Sequence, residues 1–352
     1  MNGKVRKALK VLGITIAGFM GVIALFLGCL CICHQARLRK ERSIITHLAG
    51  QYVEIDGHNL NVYVEGEGDK TLVFLPGSMT PSPIFDFKPL YERLTDKYRI
   101  VVMEKFGYGY SDECEGERSV DVITRQDREA LAALSIEGPY ILVPHSASGL
   151  EAVYWASHYP EEIEAIIGLD MAVPEQYDLM PGPHITEMQP QDPQKAIRAL
   201  ALSDFFMYKI GLIRLAMNPD KLSAALGSDA LSEAEKEQYR ALFFDKFCKG
   251  SGSTMMRETI CDERQLSVLR EIYDGPVPDV PTLLFTSNDE AMLSQAYGSI
   301  ENWHGIHENY IAKVTHGKLV SLNCGHYLHA EKPEEVAVEM TSFIDSLKGR
   351  QE

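Results

Sequence analysis

The stretch from Tyr140 to Glu151 constrains the fold of this chain more than any other part of its sequence. A short apolar run, YILVP, ends in the small polar run HSAS, and a helix-forming run follows. A strand, a tight turn and a helix in this order lift a serine hydroxyl out of the fold, as in the nucleophile elbow G-x-S-x-G. Ser146 occupies the elbow position, and the backbone N–H of Ala147 would face a developing oxyanion. Both outer glycines are replaced, by Pro144 and Ser148, so an ordinary serine in a strand-to-helix turn also fits these letters.

The amino-terminal segment differs in composition from the rest of the chain. An uncharged stretch from Val11 to Cys33 lies between two clusters of four basic residues each. Crossing a bilayer takes about 20 apolar residues, so we predict one transmembrane helix at about 11–33 within an anchor of residues 1–42. A cleaved signal peptide would have a shorter apolar core and a small-residue cleavage site. Because both flanks are equally basic, the sequence leaves open which side of the membrane the rest of the chain occupies.

The overall charge excludes some partners and makes others dependent on the anchor. The formal net charge is −16, which makes nucleic acid an unsuitable partner. Since the anchor carries an excess of basic residues, the remainder is more acidic still and should stay off an anionic bilayer unless it is tethered. The seven cysteines show neither metal-ligand spacing nor a disulfide framework. We predict no metal and no cofactor, and the sequence leaves the oligomeric state open.

Beyond the anchor, apolar runs typical of strands alternate with helical patterns. An Asp-Gly turn at 56–57 joins the first two runs as a hairpin. The predicted strands are 51–55, 60–64, 71–75, 98–103, 140–144, 163–169, 281–285 and 318–322. Strands that alternate with helices form a mainly parallel sheet, and its functional residues lie at the carboxyl ends of the strands.

The alternation stops between Met171 and Asp279, where no strand pattern appears. Helical patterns cover 193–217, 232–249 and 264–273 instead. We therefore predict a helical cap of residues 172–279, inserted after the sixth strand into a core of residues 50–171 and 280–348. Large apolar side chains in its first helix suit a lid over an apolar pocket, although ordinary helix packing would explain them as well.

Taken together, these segments resemble the α/β-hydrolase family, in the branch with a helical cap. The resemblance covers Gly50 to Leu347 and rests on four motifs in register. They are Pro76-Gly77 at the oxyanion loop, Phe106 to Ser111 as the G-x-G-x-S loop, His145-Ser146 at the elbow, and Gly325-His326 before the Glu331 to Glu335 helix start. The departures are the missing elbow glycines and Pro76, where the family usually has histidine. The resemblance implies an α/β fold with an eight-stranded, mainly parallel sheet, flanking helices and the cap, here preceded by one transmembrane helix.

The resemblance also implies roles for individual residues. Ser146 would be the nucleophile and His326 the base, with backbone N–H groups of Ser78 and Ala147 as oxyanion donors. The acid that orients His326 stays open between two places in the chain. Asp170 follows the sixth strand directly and is favoured over the usual site after the seventh. At that usual site Asp289 and Glu290 have an uncertain register, because Ser287 replaces the glycine that normally opens the turn.

The predicted function is a membrane-anchored serine hydrolase that cleaves a carboxylic ester, with a lipid or other apolar acyl ester as one option. A proline-type aminopeptidase on the same fold is one alternative, and it would need acids in the pocket for the substrate amine. The acids of the cap, such as Glu233, Glu235 and Glu237, are typical of a solvated helix face instead. A non-catalytic binding protein on a hydrolase scaffold is the other alternative. A dehalogenase would carry aspartate in place of Ser146.

Overall fold

The computed structural model describes residues 3–347 and contains one eight-stranded sheet of order β1-β2-β4-β3-β5-β6-β7-β8. Met1 and Asn2 of the predicted anchor, and Lys348 of the predicted core, lie outside the described residues. The strands are β1 Gln51–Ile55, β2 His58–Glu65, β3 Thr71–Leu75, β4 Arg99–Glu104, β5 Tyr140–Pro144, β6 Ile163–Leu169, β7 Thr282–Ser287 and β8 Gly317–Leu322. The six neighbouring strands β4-β3-β5-β6-β7-β8 pair in parallel. Strand β2 pairs antiparallel with both β1 and β4. The predicted fold class is confirmed.

The strand sequences explain why the central sheet is parallel and covered on both faces. Every residue of β3, β5 and β7 is buried, and their apolar runs have no polar alternation. A strand of this kind needs helices on both sides of the sheet. The first hairpin is different: Asp56 and Gly57 have φ of 50° and 76°, the left-handed geometry of a tight hairpin turn.

Helices cover both faces of the sheet and extend to the amino end. The helices outside the interval between β6 and β7 are α1 Gly3–Ile44, α2 Pro83–Tyr91, α3 Val120–Ala133, α4 Gly149–His158, α11 Glu290–Tyr297, α12 Ile300–Ile311, α13 Leu328–Glu331 and α14 Pro333–Leu347. The interval between β6 and β7 contains α5 Pro193–Asp204, α6 Ile213–Ala216, α7 Pro219–Leu222, α8 Glu233–Phe247, α9 Thr254–Arg257 and α10 Glu263–Asp274. Among the described residues this interval has no strand.

The helix predicted over 193–217 is interrupted in the structure. Helix α5 ends at Asp204, a π-helical turn covers Phe205–Ile210, and Gly211 has a left-handed φ of 95° before α6 begins. A residue far away in the chain contacts this break. A Cβ added to Gly211 would lie 2.4 Å from the ring of His34 in α1, so only glycine fits where α1 packs.

Helix α1 is the longest element of the structure. Its residues 4–44 are long and apolar enough to cross a membrane, and the most apolar window is not buried anywhere against the protein. Its carboxyl-terminal part, by contrast, packs on α8 and on the 205–210 turn, with His34 1% and Leu38 4% exposed. The helix therefore joins an apolar, unpacked half to a half that belongs to the folded body.

Candidate active site

Ser146 lies in a strained turn between β5 and α4. Its φ of 54° is in the left-handed region, which is costly for a residue with a side chain. Two glycines make room for the turn. A Cβ on Gly77 would lie 2.8 Å from the Cβ of Ser146, and one on Gly149 would lie 2.1 Å from the carbonyl oxygen of Ala172. The close backbone approach that only glycine permits is thus at position 149, one residue beyond the usual elbow pattern.

Ser148 occupies the position where the elbow pattern has its second glycine, and its hydroxyl takes part in the turn. The hydroxyl donates to the carbonyl of Leu75 at the end of β3, 2.7 Å away. It also accepts from the backbone N–H of His145 at 3.1 Å. The side chain therefore ties the elbow to the neighbouring strand, which compensates for the missing glycine.

Asp170 and His326 form a hydrogen-bonded pair at the carboxyl ends of the strands. The His326 Nδ1 lies 2.7 Å from Asp170 Oδ2. The Asp170 carboxylate, 0% exposed, also accepts from the Ser287 backbone N–H at 2.9 Å, the Ser287 hydroxyl at 2.7 Å and the Trp303 indole at 2.8 Å. Burial alone would raise the pKa of Asp170, but the hydrogen bonds from His326 and Ser287 outweigh it and lower the pKa. An ionised Asp170 holds the proton of His326 on Nδ1, so Nε2 is left to accept one.

The two alternative acids lie elsewhere. Asp289 caps α11, because its Oδ1 accepts from the backbone N–H of Met292 at 3.0 Å. Glu290 is an exposed residue in the first turn of the same helix. The structure thus brings Ser146, His326 and Asp170 to one cavity and leaves these two acids outside it.

A second set of buried polar side chains lies behind His326. The His145 ring donates from Nε2 to the backbone carbonyl of His326, 3.2 Å away, and its ring centroid is 4.7 Å from that of His329. His329 Nε2 in turn lies 3.0 Å from Asp86 Oδ2, and the Tyr239 hydroxyl donates to Asp86 Oδ1 at 3.2 Å. Burial and the nearby His326 hold the pKa of His145 well below its usual value. The sequence carries no signal for these contacts apart from the position of His145 next to the elbow serine.

The loop that carries Ser78, a predicted oxyanion donor, is held by a contact that the sequence did not indicate. The backbone N–H of Met79, next to Ser78, donates to the Tyr108 hydroxyl at 3.0 Å. That hydroxyl donates to Glu258 at 2.8 Å, and Arg118 holds the other carboxylate oxygen of Glu258 at 2.7 Å. The loop is therefore tied to the interval between β6 and β7.

A buried charge cluster lies beneath the elbow. Lys105 forms an ion pair with Glu151 of α4, and both side chains are nearly inaccessible. Asp127 of α3 lies close to this pair, is 2% exposed and has one oxygen without a hydrogen-bond partner. Burial, reinforced by the Glu151 charge, raises the pKa of Asp127 to about 8. The carboxyl of Asp127 thus keeps its proton to a higher pH than an exposed aspartic acid does.

A cavity of about 410 Å³ lies in front of Ser146 and His326. Ser78 and Ala147, whose backbone N–H groups are the predicted oxyanion donors, also line it. Its apolar lining comes largely from the interval between β6 and β7 and from the helices after β7: Tyr177, Met180, Met188, Leu269, Met292 and Tyr297. Its polar lining includes Arg118, Glu151, Glu258 and Gln265. Within residues 3–347 no cluster of three or more histidine, cysteine or acidic side chains could hold a metal ion.

Comparisons with known proteins agree with this architecture. No protein-family model matches the chain. The chain is 34% identical over 340 residues to the uncharacterized protein YbdG of Bacillus subtilis, covering 96% of this chain and 98% of that one. It is 28% identical over 138 residues to the serine hydrolase BPHL of Homo sapiens, covering 38% of this chain and 47% of that protein. The haloalkane dehalogenase DbeA-M1 loop variant from Bradyrhizobium elkanii superposes with a TM-score of 0.60 at 18% identity, over 86% of this chain and 97% of its own.

Proposed function

The chain belongs to the α/β-hydrolase family, and from this premise we propose that it is a serine hydrolase that cleaves a carboxylic ester through an acyl-enzyme on Ser146. One observation carries the proposal: an ionised, buried Asp170 is hydrogen-bonded to His326 beside a serine held in a strained elbow, and all three line one cavity. Nucleophile, base and orienting acid are the three groups that acyl transfer by serine requires.

In the proposed reaction, the Ser146 oxygen attacks the ester carbonyl while its proton passes to Nε2 of His326. The carbonyl oxygen becomes an oxyanion that accepts hydrogen bonds from the backbone N–H groups of Ser78 and Ala147. The intermediate collapses as the C–O bond to the alcohol breaks and His326 returns the proton to the leaving alkoxide. Water, deprotonated by His326, then attacks the acyl carbonyl. The bond to the Ser146 oxygen breaks, His326 returns the proton to that oxygen, and the acid leaves.

The lining of the cavity supports an apolar acyl group. Its apolar members include three methionines and two tyrosines, and methionine adapts to irregular apolar ligands. The aminopeptidase alternative lacks a free acid for the substrate amine among the described pocket residues. Of the pocket acids, Glu258 is paired with Arg118 and Glu151 with Lys105. Ser146 in place of a nucleophilic aspartate argues against a dehalogenase reaction.

We further propose that residues 11–33 of α1 anchor the enzyme as a single membrane span, and that residues 172–279 form a cap over the cavity. The span is supported by the length and apolar composition of α1 and by the exposure of its apolar part. The cap is supported by its helices and by the contribution of Tyr177, Met188 and Glu258 to the cavity wall. A tethered enzyme with an apolar cavity suits esters that partition into lipid.

Labelling with a fluorophosphonate probe, followed by a panel of esters of increasing acyl length, tests the proposal. Ser146→Ala should abolish labelling and lower turnover by about 10⁴ to 10⁶. Ser294→Ala is the matched control, since Ser294 is exposed on α11. Undiminished labelling of Ser146→Ala would refute the nucleophile, and faster cleavage of proline-terminated peptides than of any ester would replace the ester with the aminopeptidase alternative.

A further inference from the structure

The first part of the cap carries unusually exposed apolar side chains. Residues 193–217, here called the cap face, comprise α5, the 205–210 turn and α6. Leu202 is 71% exposed and Leu215 67%, while Leu200 is 48% and Phe205 49% exposed. No other part of the interval between β6 and β7 exposes as many large apolar side chains among the described residues. Folding against the core has left these groups in contact with solvent.

The cap face lies at the level where the apolar span of α1 ends. Cys31 Sγ lies 3.4 Å from the carbonyl oxygen of Lys209, and Gln35 donates to the same oxygen at 3.0 Å. His34 Nε2 lies 2.9 Å from the carbonyl of Tyr208. These carbonyls end the 205–210 turn and would otherwise lack partners, so α1 holds the cap face firmly. A bilayer around residues 11–33 therefore has its surface beside the cap face.

The charges of the cap face are opposite to those of the chain as a whole. Lys195, Arg198 and Lys209 are exposed, in a chain whose net charge is −16. The only acid of the cap face, Asp204, is half-buried and accepts from the backbone N–H and hydroxyl of Ser251, at 3.0 and 2.6 Å. Its charge is thus directed into the protein. A basic surface with apolar side chains is the composition that binds anionic membranes.

We propose that the cap face rests on the surface of an anionic lipid bilayer and inserts its apolar side chains at the boundary between headgroups and acyl chains. The proposal depends on the membrane anchor proposed above. It adds a second contact, made by the cap itself, that offsets the repulsion between an acidic domain and anionic lipid. The lipid thereby covers the apolar groups that the fold leaves exposed.

This contact is tested in the full-length chain by adding one tryptophan at a time and measuring its depth in nanodiscs that contain brominated lipid. The natural Trp155 and Trp303 are 0% and 2% exposed, so the wild type supplies the background emission. Leu202→Trp and Leu215→Trp should lose most of their added emission to bromine quenching. Val338→Trp is the control, because Val338 is 59% exposed on α14, outside the cap face.

The role of charge is tested in the Leu202→Trp background by comparing anionic with zwitterionic discs. A basic side chain near an anionic surface contributes roughly a fivefold preference for it. Lys195→Glu combined with Arg198→Glu should therefore remove most of the quenching in anionic discs. The control Lys97→Glu, an exposed lysine after α2, should leave it unchanged.

The outcomes separate this proposal from the anchor. A chain that enters the discs, but whose tryptophans at 202 and 215 are quenched no more than the one at 338, refutes the cap-face contact alone. A chain that does not enter the discs refutes the anchor and the contact together. Emission that changes with the number of chains per disc, and not with bromine, would show that a second copy covers the face and would overturn the proposal.

Discussion

The ring of His145 donates a hydrogen bond from Nε2 to the backbone carbonyl of His326, 3.2 Å away. The bond joins the residue before the elbow serine to the loop that carries the proposed base. Two loops that are far apart in sequence are thereby held at one separation. His145 acts on the geometry of the site without facing the cavity.

Replacing His145 should lower the turnover number with little effect on KM. His145→Phe keeps a ring but removes the donor, and one hydrogen bond of this kind is worth roughly tenfold in rate. The pKa of His145 is well below its usual value. The ring is therefore neutral over the pH range of the assay, and the pH–rate profile should keep its shape. Steady-state kinetics against pH measure both effects, with His158→Phe as a control at a site away from the cavity. A shifted profile in His145→Phe would mean that His145 itself titrates during the reaction.

Asp170→Asn should lower the turnover number by about 10⁴, because an amide in this place favours the wrong tautomer of the base. Asp289→Asn is the matched comparison, since asparagine caps a helix as well as aspartate does. It should leave both turnover and stability nearly unchanged. Equal losses in the two variants would contradict the assignment of Asp170.

Tyr108→Phe should weaken transition-state stabilisation without weakening the ground-state complex. The hydroxyl accepts from the Met79 N–H and donates to Glu258, and its loss removes the partner of that N–H and of one Glu258 oxygen. We expect kcat to fall roughly tenfold and KM to stay within about twofold. An affinity measurement with a phosphonate transition-state analogue should show the same loss as kcat. A variant that loses substrate affinity while kcat is retained would place Tyr108 in substrate binding instead.

Asp127→Asn should stabilise the protein at alkaline pH. The pKa of Asp127 is raised from 3.8 to about 8 in the fold, so the unfolded chain binds fewer protons between those values. The stabilisation from this carboxyl is complete below 3.8 and is lost as pH rises to about 8. Asparagine does not ionise, and the advantage of the variant should therefore grow over that range. Thermal unfolding in detergent at several pH values measures it, and a constant difference between the two proteins would contradict the shifted pKa.

The parallel core could be predicted from the sequence because its signals are local. The strands at 71–75 and 163–169 have the predicted bounds, since each is an uninterrupted apolar run between turn residues. The hairpin was marked by its Asp-Gly turn. The eight-stranded, mainly parallel sheet followed from the alternation of such runs with helices.

Features that depend on distant contacts could not be predicted in the same way. The break after Asp204 leads to Gly211, against which the distant His34 packs. Helices α2 and α12 were missed, because α2 contains an internal proline and α12 carries His304, Gly305 and His307 among its apolar residues. The sequence left open which acid pairs with the His326 ring, because strands six and seven are adjacent and each is followed by an acid. The ties through His145 and Tyr108 required the fold, because neither residue belongs to a motif that indicates its partner.

Helix α1 runs unbroken for 42 residues, from its exposed apolar half into the half that packs on α8 and the 205–210 turn. In the proposed membrane-anchored enzyme, a flexible tether would let the folded body rotate freely, whereas a continuous helix transmits torsion. One residue inserted between these halves would turn the catalytic body by about 100° about the helix axis and displace it by about 1.5 Å. If residues 11–33 span a membrane as proposed, the number of residues between that span and His34 sets the rotational orientation in which the mouth of the cavity meets the lipid.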